Sequence, residues 1–161
     1  MKNDFTVKGA PSPTIEKMTA DDVSAVAETE RECFKENAWS EKSLFDETQN
    51  ETAHFFVVKN GEEVYGYIGT NIIVDECYIT NVAIKEKYRR FGFGQRLILH
   101  AAKNAEQNGC RLITLECRKS NLPAASLYKK CGFEVCGERK NFYSSPKEDA
   151  YIMTYYFKGT D

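Results

Sequence analysis

The chain has 161 residues, 42 % of them hydrophobic, and Lys+Arg 22 against Asp+Glu 24 leave a net charge of −2. That length suffices for one domain with a real core, and the near-neutral balance gives no electrostatic basis for a nucleic-acid partner. No apolar run approaches the roughly 20 residues that span a bilayer, so no membrane partner is expected.

The N-terminus, Met1-Lys2-Asn3-Asp4, lacks the apolar stretch of a signal peptide, and a cytoplasmic protein is expected. Residues 1–13 carry Pro11 and no periodic pattern, which predicts a loose lead-in to a domain over residues 14–158. Thr14 to Met18 is a candidate first strand. Thr19 with Asp22 resembles a capping pair, and Val23, Val26, Ala27, Cys33 and Phe34 supply a helical face. Ser40 with Ser43 is a second capping signal, opening a short helix to about Thr48.

His54 to Lys59 is β-rich, and Asn60-Gly61 is the strongest hairpin signal in the chain. Val64 to Val74 returns as the partner strand. Asp75-Glu76 turns the chain, and Cys77 to Ile84 is the next strand. Leu97, Ile98, Ala101, Ala102 and Ala105 form the buried stripe of a helix over Leu97 to Asn108, ended by Gly109. Arg111 to Cys117 is another strand, and Leu122 to Cys131 a helix closed by Gly132. Phe133 to Glu138 and Ala150 to Phe157 read as a final strand pair, with a long polar connection containing Pro146 between them. The order β-α-α-β-β-β-α-β-α-β-β predicts a mixed α/β sheet in a single domain.

The cysteines are Cys33, Cys77, Cys110, Cys117, Cys131 and Cys136, and the histidines His54 and His100. No Cys-x-x-Cys pair or zinc spacing occurs, so no metal is expected, and reduced core thiols are the simplest reading.

Between the strand ending at Ile84 and the helix lies Lys87-Tyr88-Arg89-Arg90-Phe91-Gly92-Phe93-Gly94-Gln95. Glycines let the backbone approach an anion, and free N–H groups at a helix start point at it. Arg89 and Arg90 add charge suited to phosphate oxygens. A nucleotide-hydrolase loop would need Gly-Lys-Ser/Thr, but Gln95-Arg96 follow Gly94. A dinucleotide fingerprint would need a third glycine, and position 97 is Leu97. An ordinary strand-to-helix turn remains a possible reading of this stretch alone.

Arg89-Arg90-Phe91-Gly92-Phe93-Gly94 resembles the (Arg/Gln)-x-x-Gly-x-(Gly/Ala) signature of the GNAT N-acetyltransferases. Leu115-Glu116-Cys117-Arg118-Lys119-Ser120-Asn121 and Ala125-Ser126-Leu127-Tyr128, leading to Gly132-Phe133, extend the resemblance, which covers roughly Thr14 to Phe157. It implies a mostly antiparallel central sheet, splayed around an acetyl-CoA site and flanked by helices. It implies that Val82, Ala83 and Ile84 offer backbone groups to the coenzyme arm. Arg89, Arg90, Phe91, Gly92, Phe93, Gly94 and Gln95 would cradle its pyrophosphate, and Asn121 and Tyr128 would complete the coenzyme site.

Acetyl transfer to an amine needs a positioned donor, a polarised carbonyl, a base for the amine and an acid for the thiolate. Glu116 is the candidate base. It interrupts an apolar strand and on alternation shares a face with Leu112 and Thr114. Tyr128 is the candidate acid. Without the resemblance, Glu116 reads as an exposed strand-end glutamate, Tyr128 as a packed helix tyrosine and Asn121 as a helix N-cap.

Three stretches resemble the RimI branch of the family, the ribosomal-protein-alanine N-acetyltransferases: Ala38-Trp39-Ser40-Glu41-Lys42-Ser43-Leu44-Phe45, Leu115 to Asn121, and Lys140-Asn141-Phe142-Tyr143 with Glu148 to Met153. Ala38 stands where proline is usual and Phe142 where tyrosine is usual. The resemblance implies a protein substrate with a free N-terminus, a small-subunit ribosomal protein, with Trp39 and Tyr143 walling the acceptor groove. The alternative is acetylation of a lysine side chain, polyamine or other small amine. Glu41, Asp46, Glu47, Glu51, Asp75 and Glu76 are candidates to attract a basic peptide.

Overall fold

The computed structural model describes residues 12–159. The expected lead-in thus lies almost wholly outside the described residues. Strand β1 is Thr14–Lys17, followed by helices α1 (Val23–Phe34) and α2 (Glu41–Thr48). Strands β2 (Ala53–Asn60), β3 (Glu63–Ile73) and β4 (Glu76–Ile84) form a meander. Then come α3 (Phe93–Gln107), β5 (Leu112–Arg118), α4 (Leu122–Lys130), β6 (Glu134–Ser144) and β7 (Lys147–Tyr156). The strands make one sheet in the order β1-β2-β3-β4-β5-β7-β6, and only β4 and β5 run parallel. The expected element order and mixed α/β class hold.

The centre of the sheet is buried on both faces, which explains why β2 reads as a continuous apolar run. Phe56 and Val58 pack on one side with Leu97, Ile98 and Ala101 of α3. Phe55 and Val57 pack on the other with Val26 and Ala27 of α1 and Leu44 of α2. The caps form as expected: the Thr19 N–H donates to Asp22 Oδ2 at 2.9 Å, and the Ser43 N–H to Ser40 Oγ at 3.1 Å. Gly109 and Gly132 close α3 and α4 at φ 80° and 98°, where a side chain would be strained.

Two readings need correction. The helix expected from Leu97 begins four residues earlier, at Phe93, with Gly92 as N-cap at φ 81°. Gly94 therefore lies inside the first turn. The polar connection around Pro146 is a hairpin, because β6 and β7 run on to a tight turn at Ser145-Pro146, whose peptide bond is cis. β6 is an edge strand exposed along most of its length, so it needs no apolar alternation and gave none.

Candidate active site

The site begins where β4 and β5 part. They pair only through Glu76↔Leu112, Cys77↔Ile113 and Tyr78↔Thr114. On its other edge β4 stays paired with β3 through Ala83↔Tyr67 and Ile84↔Gly66, past an irregularity at Gly69/Thr70. Beyond Tyr78 one edge of β4 is thus unpaired with β5, and Val82, Ala83 and Ile84 border the opening.

One cleft of ≈ 720 Å³ lies over this opening. It is lined by Val82, Ala83, Ile84, Arg89, Arg90, Gly92, Phe93, Gly94, Gln95, Asn121 and Tyr128, every expected coenzyme residue except Phe91. Phe91 is an exposed side chain 6.1 Å from the Phe93 ring, so only its backbone belongs to the turn. The lining carries Arg89, Arg90 and Lys130 and no carboxylate, an anion's environment. Arg89 is partly committed to the fold: its Nε donates to the Ile84 carbonyl at 2.9 Å and fixes the end of β4. Arg90 adopts φ 70°, a conformation that non-glycine residues keep only where surroundings impose it. Tyr88 stacks on Tyr65 at 3.7 Å and its hydroxyl bonds Glu63, which ties the turn to the sheet.

A second cavity of ≈ 460 Å³ shares Phe34, Val82, Asn121, Ala124 and Tyr128 with the first. Glu116, Trp39 and Tyr143 line it, so the structure brings Glu116 and Tyr128 together with the two expected groove walls, Trp39 and Tyr143. Glu116 is partly exposed and accepts from Arg139 Nε at 3.1 Å, a partner the sequence did not suggest. Tyr143 donates its hydroxyl to the Glu116 carbonyl at 3.1 Å, and burial pushes its phenol up to about 12. Burial likewise pushes the Tyr128 phenol up, so it holds its proton throughout the neutral range. Asn121 caps α4, accepting from the Ala124 N–H at 3.2 Å, which leaves its amide NH₂ for the cavities.

Arg118 joins the second cavity to the β6–β7 turn. It pairs with Glu148 at 3.2 Å, donates to the Ser145 and Pro146 carbonyls, and lies 4.1 Å from the Tyr143 ring centre. Glu30 and Asn81 also line this cavity and were missed. The signal existed: Val23, Val26, Ala27 and Glu30 stand at i, i+3, i+4 and i+7, on the buried stripe of α1.

The acidic residues divide. Asp46 and Glu47 border a third hollow that shares Trp39 with the second cavity. Asp75 and Glu76 sit at the paired end of β4, bound to Arg111, and cannot serve the opening. Among the described residues no His/Cys/Asp/Glu cluster suits a metal. All six cysteines are free, and Cys136 is exposed rather than in the core.

The sequence profile of the acetyltransferase (GNAT) family matches residues 23–133. A Bacillus subtilis (strain 168) protein provisionally named a ribosomal protein bS18-alanine N-acetyltransferase is 37 % identical over 140 residues, covering 86 % of this chain and 92 % of its own. The ribosomal protein bS18-alanine N-acetyltransferase of Escherichia coli (strain K12) is 32 % identical over 117 residues, covering 71 % and 78 %. A crystal structure of the ribosomal-protein-alanine N-acetyltransferase from Escherichia coli overlays with TM-score 0.81 at 29 % identity, covering 89 % of this chain and 93 % of that one.

Proposed function

The chain belongs to the acetyltransferase (GNAT) family, and we propose that it moves acetyl from acetyl-CoA to the α-amine of an N-terminal alanine on a small-subunit ribosomal protein. The observation that carries this reading is the pairing of two unlike cavities across Val82 and Tyr128. The cationic cleft, with its helix start and glycines, suits a pyrophosphate. The acid-bearing cavity suits a positively charged amine. The resemblance to bS18-alanine N-acetyltransferases supports an N-terminal alanine of a ribosomal protein as the acceptor.

In this mechanism the coenzyme's pyrophosphate lies on the N-terminal turn of α3, against Arg90 and the N–H groups from Gly92 to Gln95. The pantetheine arm runs along the unpaired edge of Val82 to Ile84, and a backbone N–H there polarises the thioester carbonyl. Trp39 and Tyr143 wall the acceptor and exclude water. Glu116 takes a proton from the ammonium, directly or through one water. An α-amine near pKa 7.7–8.0 needs only modest help at neutral pH. The amine attacks the carbonyl carbon, the C–N bond forms and the C–S bond breaks, and the second proton shed by the nitrogen as the amide forms restores the Tyr128 phenol. Tyr128 protonates the departing thiolate, and the burial that weakens this phenol as an acid also makes an unsolvated thiolate a stronger base.

The test is mass spectrometry of ribosomal-protein N-termini from cells with and without the protein. Loss of one N-terminal alanine acetylation in the deletion, restored by the wild-type chain, is expected. An unchanged set of acetylated N-termini would exclude the ribosomal acceptor.

A further inference from the structure

Glu116 and Tyr128 leave a second carboxylate of the acceptor cavity without a task. Glu30 is completely buried in α1 yet lines that cavity. Its Oε1 accepts from the Tyr67 hydroxyl at 2.5 Å and from Asn81 Nδ2 at 2.8 Å. Its Oε2 has no hydrogen-bond partner, and neither has Asn81 Oδ1, although both atoms are buried. Burial disfavours the charge on this carboxylate, while Tyr67, Asn81 and the Trp39 backbone N–H favour it.

Among the described residues no cation pairs with Glu30, whereas the other buried carboxylate, Asp22, has Lys59 at 2.9 Å. A buried carboxylate is costly unless a cation answers it, and a buried acceptor left unmatched adds to that cost. Two unmatched acceptors on the wall of an acceptor cavity call for a ligand that brings positive charge and several N–H donors. A primary ammonium brings both, with three donors and no acceptor. Asn81 directly precedes Val82, one of the residues that line both cavities, so this wall abuts their junction.

We propose that Glu30, braced by Tyr67 and Asn81, is the countercharge that draws the acceptor's ammonium into the cavity and sets its nitrogen beside Val82. The proposal rests on the acetyl-transfer reading of the site and deepens it. Glu30 selects and positions the charged amine, and Glu116 then removes the proton. Glu30 is a positioning residue, so its signature is in amine binding rather than in the chemical step.

The experiment measures peptide binding by calorimetry with CoA present, so no turnover occurs. One pair of probes is a peptide beginning Ala-Arg and the same peptide with its α-amine replaced by hydrogen. A second pair is an N-terminally blocked lysine peptide and its norleucine counterpart. The wild type should favour the amine member of one pair by about tenfold or more, the factor one charge-assisted hydrogen bond supplies. Glu30→Gln, which keeps the shape and the Oε1 bonds, should reduce that preference to about one without changing CoA affinity. Retention of the full preference by a folded Glu30→Gln variant would overturn the proposal, as would a wild type that binds both members of each pair alike. A wild type that discriminates only the lysine pair would refute the N-terminal acceptor, and Glu30 would then be judged on that pair. Should Glu30→Gln not fold, Asn81→Ser carries the same test by removing the other unmatched acceptor. An unchanged amine preference in that variant would equally overturn the proposal.

Discussion

Glu116 and Glu30 occupy one cavity with opposite surroundings. Glu116 is partly exposed and paired with Arg139, while Glu30 is buried in the cavity wall and burial raises its pKa above the ordinary carboxylate value. A raised folded-state pKa contributes stability at pH below that ordinary value and loses it as the pH rises through the raised one. Glu30→Gln should therefore match the wild type in urea unfolding at acid pH and exceed it at neutral pH. A wild type that stays the more stable at pH 7 would contradict this account of the residue. For the chemical step, Glu116→Gln and Tyr128→Phe should each lower kcat by about 10²-fold or more, the range of general acid–base catalysis. The Glu116→Gln loss should be greatest at low pH, where the amine is charged, and stopped-flow rates across pH would show it. Glu116 and Tyr128 are singled out through the family resemblance, since without it they read as a strand-end glutamate and a packed helix tyrosine. Glu30 was missed although it stands on the apolar stripe of α1, because Glu28, Arg31 and Glu32 around it make one more charge look ordinary.

At the scale of elements, the opening depends on β4 leaving β5 while staying on β3. Gly66 permits that close approach: a Cβ there would sit 2.5 Å from the Ala83 carbonyl oxygen and 2.4 Å from Ile84 Cδ1. Gly66→Ala should push the end of β4 outward and destabilise the fold by about 1–3 kcal/mol, as overpacked sites do. CoA affinity should fall with it, since Val82 to Ile84 would shift. Gly94 predicts a different outcome. A Cβ there, inside the first turn of α3, would meet the flexible Leu127 Cδ2 at 3.2 Å and Ile84 Cγ1 at an ordinary 3.9 Å. Alanine is the better helix former by about 0.8–1.0 kcal/mol, so Gly94→Ala should fold at least as well. It should nonetheless bind CoA more weakly, because the methyl group stands in the cleft that the pyrophosphate needs. Thermal melts and calorimetry on the two variants separate these cases. Hairpin β2–β3 was legible from Asn60-Gly61 within a doubly buried apolar run. Hairpin β6–β7 was not, because an exposed edge strand places no demand on its side chains.

Across the whole molecule, one sheet separates two cores and holds an anion cleft and an acid-bearing cavity together at its opening. The element order, the single sheet and its mixed class could be read from periodicity, because hydrophobic burial fixes which faces are apolar. The splay could not, because unpaired backbone groups leave no mark on side-chain pattern; the family resemblance alone implied it. CoA at 100 times its dissociation constant should stabilise the folded chain by about 2.7 kcal/mol. In a domain of this size that raises the melting temperature by several degrees, and Arg90→Glu should diminish the rise at a fixed coenzyme concentration. An undiminished rise would show that the glycine turn is not the coenzyme site. The central claim is that the acid-bearing cavity presents an α-amine to acetyl-CoA, and competition measures it most directly. An Ala-Arg peptide and an N-terminally blocked lysine peptide are offered together at equal concentration, and the acetylated products are resolved by mass. Acetylation confined to the N-terminal alanine is the predicted result. Preferential acetylation of the blocked lysine peptide would contradict it.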